Sequence, residues 1–287
     1  MFRGIYTATS GMVASGRKQE QLNHNLSNVD TPGYKQDNTV LRAFPDILMH
    51  RVRDEQGFNV DGTGVPTTQG MTPLGVLHTG VYAQEGIPLF RLGDLRETGR
   101  PLDIALVDPN ILNPETGQQG HVFFSVQTGA EETRYTRNGQ FSLDEQGYLT
   151  TSEGYYVLNN AQQPIQILSG EFRVSAAGDI YQITPLGENL VARLALAYTE
   201  EPEQLVKEGN SLYRFEGEGA LQDLAAVGFV NGNNFQVRQG FIEGSNVDLT
   251  TTMTEMMSTY RLYEANQRVL QAYDRSLEKT VTEIGRV

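Results

Sequence analysis

The chain is predicted to be a mixed α and β protein. A β-rich central domain, antiparallel and meander- or barrel-like, sits between N- and C-terminal α-helices that pair as a coiled coil. Three observations predict this. First, both ends carry a narrow apolar stripe with four-then-three spacing, the mark of helices that pack on other helices. Second, short strand signals divided by turn residues fill the middle of the chain. Third, no strand alternates regularly with a long helix, which excludes a doubly wound nucleotide-binding fold.

The N-terminal helix is expected over 1–32. Its stripe is Ile5, Ala8, Met12, Ser15, Gln19, Leu22, Leu26 and Val29, smaller and more polar than an ordinary core face. It runs into Asn23, Asn25 and Asn28 and then Thr31-Pro32-Gly33-Tyr34. Proline turns the preceding residue away from helix, and Gly33 can adopt the positive φ of a tight turn. Residues 33–80 mix an apolar run at Leu41–Met49 with a Gly/Thr/Pro-rich stretch, and read as an extended arm or small subdomain.

The central β domain is expected over 81–216. Asn138-Gly139 is its strongest hairpin signal, because both residues tolerate the positive φ of a type I′ turn. Asp144–Gly147 and Ser152–Gly154 supply the next turns, and Pro202–Glu208 reads as one short helix closed by Gly209. A Gly- and Asn-rich return segment, 217–245, leads to the C-terminal helix, 246–287, with Asn246 as its expected N-cap and Asp248 at its positive dipole end. Its stripe is Leu249, Met253, Met256, Tyr260, Tyr263, Gln267, Leu270, Asp274, Leu277, Val281 and Ile284. A helix hiding so narrow a stripe gains little alone. An intramolecular two-helix stalk and an intermolecular bundle both satisfy it. The polar members Gln19, Gln267 and Asp274 favour one specified alignment, since a buried polar group is tolerated only where that alignment satisfies it.

Composition narrows the partners. With 22 basic and 35 acidic residues the formal charge is -13, which argues against nucleic acid and against an anionic membrane surface. The same charge keeps subunits apart until a specific contact forms. The absence of cysteine excludes disulfides and thiolate chemistry. No stretch approaches the roughly 20 apolar residues of a membrane span, and Met1-Phe2-Arg3-Gly4 enters the helix without a cleavable secretory signal.

With these elements in place, the two ends resemble the flagellar basal-body rod and hook protein family. The N-terminal match is Ser10-Gly11-Met12 and the run from Leu22-Asn23-His24-Asn25-Leu26 to Thr31-Pro32-Gly33-Tyr34-Lys35. The C-terminal match is Gln239-Gly240-Phe241-Ile242-Glu243-Gly244-Ser245-Asn246-Val247-Asp248, followed by Tyr260–Gln267. In the middle, Leu102–Leu106 and Tyr135-Thr136-Arg137-Asn138-Gly139-Gln140-Phe141 are similar to the rod-type domain. Two departures stand out: His24 replaces a small polar residue, and Val107–His121 is longer than the family's usual turn.

The resemblance implies a structural rod subunit, with a proximal type the first expectation and a distal type the second. It further implies helices that polymerise into a hollow axial shaft in the extracytoplasmic basal body, and partners that are other copies, other rod and hook proteins and the flagellar type III export apparatus. The assembly interface is expected at Ile5, Met12, Leu22, Asn25, Leu26, Asn28, Leu249, Met253, Met256, Tyr260, Tyr263, Gln267, Leu270, Leu277, Val281 and Ile284.

Other chemistries fit less well. A wall hydrolase would need two facing carboxylates, and Asp94, Asp103, Glu131 and Glu132 lie among turns and strand ends where carboxylates are ordinarily solvated. His24, His50, His78 and His121 lack metal-ligand spacing. Gly62-Thr63-Gly64 has neither the strand nor the helix of a dinucleotide fingerprint, so no catalytic residue, cofactor or metal is assigned. Asn25-Leu26-Ser27 matches a glycosylation sequon by chance, because a glycan would block the seam. Tyr260 and Tyr263 read as seam aromatics before ligand-stacking groups. The Asn cluster serves equally to end the helix or to bond across subunits. A non-flagellar stalk or adhesin with a β head would share the pattern without placing both termini in one bundle.

Overall fold

In the computed structural model the described residues are 2–45, 47–52, 71–77, 79–108, 111–112, 117, 119–129, 132–167, 171–185, 187–217, 219–224 and 235–284. The mixed architecture is as expected: helix α1 (Phe2–Ser27) opens the chain, α2 (Leu249–Ile284) closes it, and the strands between them pair antiparallel. Most of the arm at 57–79, including Gly62-Thr63-Gly64, lies outside the described residues, as do Glu131, His78 and parts of 107–121 and 217–245. The chain divides into two compact units: Met1–Asn23 with Thr39–Gly86 and Met253–Val287, and His24–Asn38 with Ile87–Thr252.

In the first unit α1 and α2 run antiparallel. The backbone of Gly4 lies against Tyr273, Gly11 against Asn266, and Lys18 forms an ion pair of 3.4 Å with Glu255. Ascending positions on one helix therefore meet descending positions on the other. Strand Val81–Pro88 follows α1, with the Val81 amide donating to Ser10 Oγ at 3.3 Å and the Gln21 amide beside Gly86. Ile47–Val52 and Met71–Leu77 form an antiparallel hairpin ladder in the same unit.

The second unit is organised around strand Gln119–Gln127. It is buried from Val122 to Val126 without a break, as expected of a strand covered on both faces. Side chains alternate, so Val122, Phe124 and Val126 enter the large core with Ile104, Phe141, Leu149, Ile165 and Leu196. Phe123 points the other way, into a smaller cluster with Tyr135, Leu205 and Tyr213. This strand pairs with Thr133–Thr136 on one edge; Leu196–Thr199 and Tyr156–Val157 also pair with it.

The meander is present, but the barrel-like closure is not. The sheet path runs from Phe141–Leu143 to Leu205–Gly209 and stays open. The reason is a fork: His121–Phe124 pairs with Leu196–Thr199 while Val126–Gln127 pairs with Tyr156–Val157, so the sheet branches instead of curling onto its own edge. The return segment then completes two separate ladders. Gln236–Gln239 pairs with Ile104–Val107, and Phe241–Glu243 with Leu95–Glu97.

Three local expectations are corrected. Asn138-Gly139 makes no hairpin turn, since Thr133–Thr136 and Phe141–Leu143 pair with other strands. Gly139 is required for a close approach, because a Cβ there would lie 1.7 Å from Ile104 O. Pro202–Gln204 forms only a 3-10 turn before strand Leu205–Gly209, whose pairing with Leu212–Phe215 overrides a short helix. The α2 cap is Asp248, whose Oδ1 accepts from the Thr250 amide at 2.8 Å and the Thr251 amide at 3.3 Å. The Thr251 hydroxyl, donating to Asp248 Oδ2 at 2.8 Å, and then these two amides hold the carboxyl below the usual range. Asn246 is already engaged, accepting from the Gln36 amide at 2.7 Å and donating to Leu89 O at 2.7 Å.

Candidate assembly surface

The face that α2 buries differs from the stripe its sequence predicts. Buried or half-buried positions are Thr252, Met256, Thr259, Tyr263, Glu264, Asn266, Leu270, Tyr273, Leu277 and Thr280. Met256, Tyr263, Leu270 and Leu277 belong to the expected stripe. Other members of that stripe are open: Met253, Tyr260 and Val281 are 45%, 50% and 71% exposed, and Gln267 and Asp274 are exposed too. At 100° per residue, the buried face is turned by about 50° from the predicted one. Helix α2 thus has two stripes sharing one row, a covered flank of Thr259, Asn266, Tyr273 and Thr280 and an open flank where Met253, Tyr260 and Val281 stand with Gln267 and Asp274.

Helix α1 keeps its expected face inward, with Ala8, Ser15 and Leu22 buried and Ile5, Met12, Gln19 and Leu26 half-buried. On its outer side Tyr6 and Val13, seven residues apart, are 72% and 54% exposed. Leu249, Met257, Leu262 and Val269 are also exposed on α2. The side chain of Ile284 lies outside the described residues. Large apolar residues open to solvent at helical spacing mark a contact surface.

The asparagines at the end of α1 act internally. Asn25 is fully buried; its Oδ1 accepts from Tyr34 Oη and the Asp37 amide, each at 3.1 Å, while its Nδ2 donates to Asp37 O at 2.8 Å. Its amide does the work of a strand partner, latching the helix end to the segment after Gly33. Burial, with Asp37 nearby, pushes the Tyr34 phenol well above its ordinary pKa. Half-buried Asn28 donates to His24 O at 2.8 Å and accepts from Thr31 Oγ1 at 3.1 Å.

Beside this latch is a network that sequence reasoning missed. Lys35 Nζ, 1% exposed, donates to Glu243 Oε1 and to Arg91 O at 2.8 Å. Glu243 Oε2 accepts from Arg137 Nε at 3.0 Å, and Arg137 grips Asp108 with two bonds of 2.7 and 2.8 Å. Two cations and two anions balance without water-exposed charge. Burial, then the like charge of Arg137, pulls Lys35 down to about 8 against the pull of Glu243. Burial works to raise Asp108, but the guanidinium outweighs it and the carboxyl is held low. Burial also takes His121 down to about 4.

Gly33 permits the convergence. It has φ 68°, its amide donates to Glu243 O at 2.8 Å, and a Cβ would stand 2.5 Å from the Arg137 carbonyl carbon. The network therefore ties together Gly33-Tyr34-Lys35, Arg137-Asn138-Gly139 and Gln239–Glu243, three motifs far apart in sequence. The only available signal was charge inside otherwise apolar or turn-forming motifs, an arrangement that points to paired burial.

Two of the four carboxylates considered for hydrolysis have other engagements. Asp103 Oδ2 accepts from Thr98 Oγ1 at 2.6 Å, and Glu132 pairs with Arg134 at 2.5 Å. Among the described residues no group of three or more His, Asp or Glu is placed to hold a metal, and no helix is long and apolar enough to cross a membrane.

Comparison with known proteins addresses the same regions. Residues 238–283 match the flagellar basal body rod FlgEFG protein C-terminal family, and residues 119–182 match the flagellar hook protein FlgE/F/G D1 domain. The flagellar hook-basal body complex protein FlhO of Bacillus subtilis is 38% identical over 288 residues, covering all of both chains. The flagellar basal-body rod protein FlgG of Borreliella burgdorferi is 29% identical, covering 96% of this chain and 97% of its own. The flagellar basal-body rod protein FlgF of Mesorhizobium japonicum is 26% identical over 98% and 97%.

Proposed function

The chain belongs to the flagellar basal-body rod and hook protein family and is a structural rod subunit that assembles with other rod and hook proteins in the basal body; from this premise we propose that it polymerises through the open flanks of its terminal helices. The observation that carries the proposal is a pair of open helix flanks with large apolar residues at heptad positions, Gln267 and Asp274 interrupting the one on α2. Tyr6 and Val13 lie on α1, and Met253, Tyr260 and Val281 on α2. A helix of a neighbouring subunit is the occupant that matches such spacing. The contact is head-to-tail between different surfaces, so it does not close and grows as a filament.

In this reading segments 1–32 and 246–287 are the assembling parts, and 81–216 is the body they carry. The shared row Met256, Tyr263, Leu270 and Leu277 would touch both the chain's own α1 and the neighbour. The subunit is a mechanical part without catalysis, delivered through the flagellar type III export apparatus; support comes from the family and from carboxylates already held in local bonds. A stalk or adhesin is not favoured, because relatives matching essentially the whole chain are basal-body proteins.

The test is the double variant Met253→Ala/Tyr260→Ala expressed in cells lacking the parent protein. Circular dichroism of the purified subunit should be unchanged, because both residues are exposed, while rod assembly and motility should be lost. Normal rods built from this variant would overturn the proposal.

A further inference from the structure

Apolar content alone does not decide which flank of α2 is covered: Thr259, Asn266, Tyr273 and Thr280 are buried or half-buried, while Met253, Tyr260 and Val281 stay open beside Gln267 and Asp274. Geometry at two glycines bears on the choice. A Cβ on Gly4 would fall 2.0 Å from Tyr273 Oη and 2.5 Å from its Cζ, and one on Gly11 would fall 2.9 Å from Asn266 Nδ2. Gly4 and Gly11 are seven residues apart, and so are Asn266 and Tyr273, which is the matched period of an antiparallel pair. A glycine inside a helix is destabilising relative to alanine, and this helix keeps two whose missing side chains are replaced by groups from α2. Gly16, in the same helix, has nothing within 4 Å of its Cβ position, so helical glycine alone does not explain the fit.

We infer that Gly4 and Gly11 are register keys: by admitting Tyr273 and Asn266 they hold α1 on the Thr259, Asn266 and Tyr273 flank of α2 and keep the Met253, Tyr260 and Val281 flank open. This rests on the assembly reading above and adds its regulation. Two buried hydroxyls of this seam are satisfied within their own helices, Thr259 Oγ1 donating to Glu255 O at 2.8 Å and Ser15 Oγ to Gly11 O at 2.7 Å. Pairing on this flank therefore leaves both hydroxyls bonded, while the flank bearing Met253, Tyr260 and Val281 is withheld from the chain's own partner. The keys are positioning residues for assembly, and their effect is on which face of α2 is offered.

The chain contains no cysteine, so single reporters Thr259→Cys and Tyr260→Cys can be placed in the full-length subunit and their maleimide reaction rates compared. Position 260 should react about tenfold faster than 259, because a cysteine on a packed face reacts only through local opening. In Gly4→Leu/Gly11→Leu the order should reverse, and in Gly16→Ala it should stay. An unchanged order in the double variant, or slow reaction at 260 in the parent, overturns the inference. Should the double variant lose its helix signal, Tyr273→Ala serves instead: it empties the socket without loading α1 and should speed reaction at 259, and no acceleration sinks the idea. Polymerisation of subunits already blocked at 260 by a bulky maleimide would refute the assembly reading, while the reaction rates would still decide the glycine keys.

Discussion

Lys35 and Glu243, 208 positions apart in the chain, meet as a fully buried ion pair. Arg137 holds the other oxygen of the same carboxylate and passes the charge on to Asp108. A buried network of this kind is no more stabilising than well-packed apolar groups, but removing one member leaves the rest uncompensated.

Glu243→Gln keeps the shape and removes the charge that balances Lys35 and Arg137. It should destabilise the second unit by about 3–5 kcal/mol, read from urea unfolding by tyrosine fluorescence, since the chain has no tryptophan. The added change Lys35→Met should recover part of the loss. Additive effects of the two substitutions would show that the pair is not coupled.

Acid should act through His121. Its folded value, about 4, lies below its ordinary 6.5, so the unfolded chain binds the proton first. The resulting stability is complete above pH 6.5 and is lost as pH falls toward 4, by roughly 3 kcal/mol at most. Asp108, also held low, adds a further loss below the ordinary carboxylate range. Its surroundings, Asp108, Arg137, Lys35 and Glu243, are those of the network. Urea midpoints between pH 4 and 7.5 should rise steeply in the parent and more gently in His121→Gln. Parallel curves would remove His121 from the explanation.

Two glycines should respond in opposite directions to alanine. Gly16→Ala meets empty space in a helix and should stabilise it by about 0.5–1 kcal/mol. Gly139→Ala drives a methyl into Ile104 O and should destabilise by at least about 2 kcal/mol. Thermal unfolding of the two variants checks both signs.

Truncation should be sensitive to seven residues. Removing 2–23 leaves Asn25 and the latch on Tyr34 and Asp37 in place, whereas removing 2–30 deletes the latch and leaves the buried Tyr34 hydroxyl without its acceptor. The longer deletion should unfold at a urea midpoint lower by the equivalent of about 1–3 kcal/mol. Equal midpoints would show that the latch contributes nothing to the second unit.

Periodicity revealed the two helices and most of the strands, because burial writes a period of 3.5 or 2 into a chain. It also revealed the inward face of α1 at Ala8, Ser15 and Leu22. It did not reveal which flank of α2 is covered. Thr259 and Asn266 look like surface residues, and only the spaces above Gly4 and Gly11, on the opposite helix, draw their flank inward. Asn138-Gly139 misled for a related reason: the glycine answers to the backbone of Ile104, a neighbour brought near by the fold. The charges of Lys35, Asp108, Arg137 and Glu243 were visible in the sequence, yet nothing local shows that four ions 29 to 208 positions apart will share one dry site.

The ladders closed by Gln236–Gln239 and Phe241–Glu243 set a timetable. The early strands Leu95–Glu97 and Ile104–Val107 have vacant edges until nearly the whole polypeptide has been released, and Lys35 and Arg137 wait for the same late arrival. Synthesis from the amino end therefore leaves both ladders open until about the final sixth of the chain has emerged to close them.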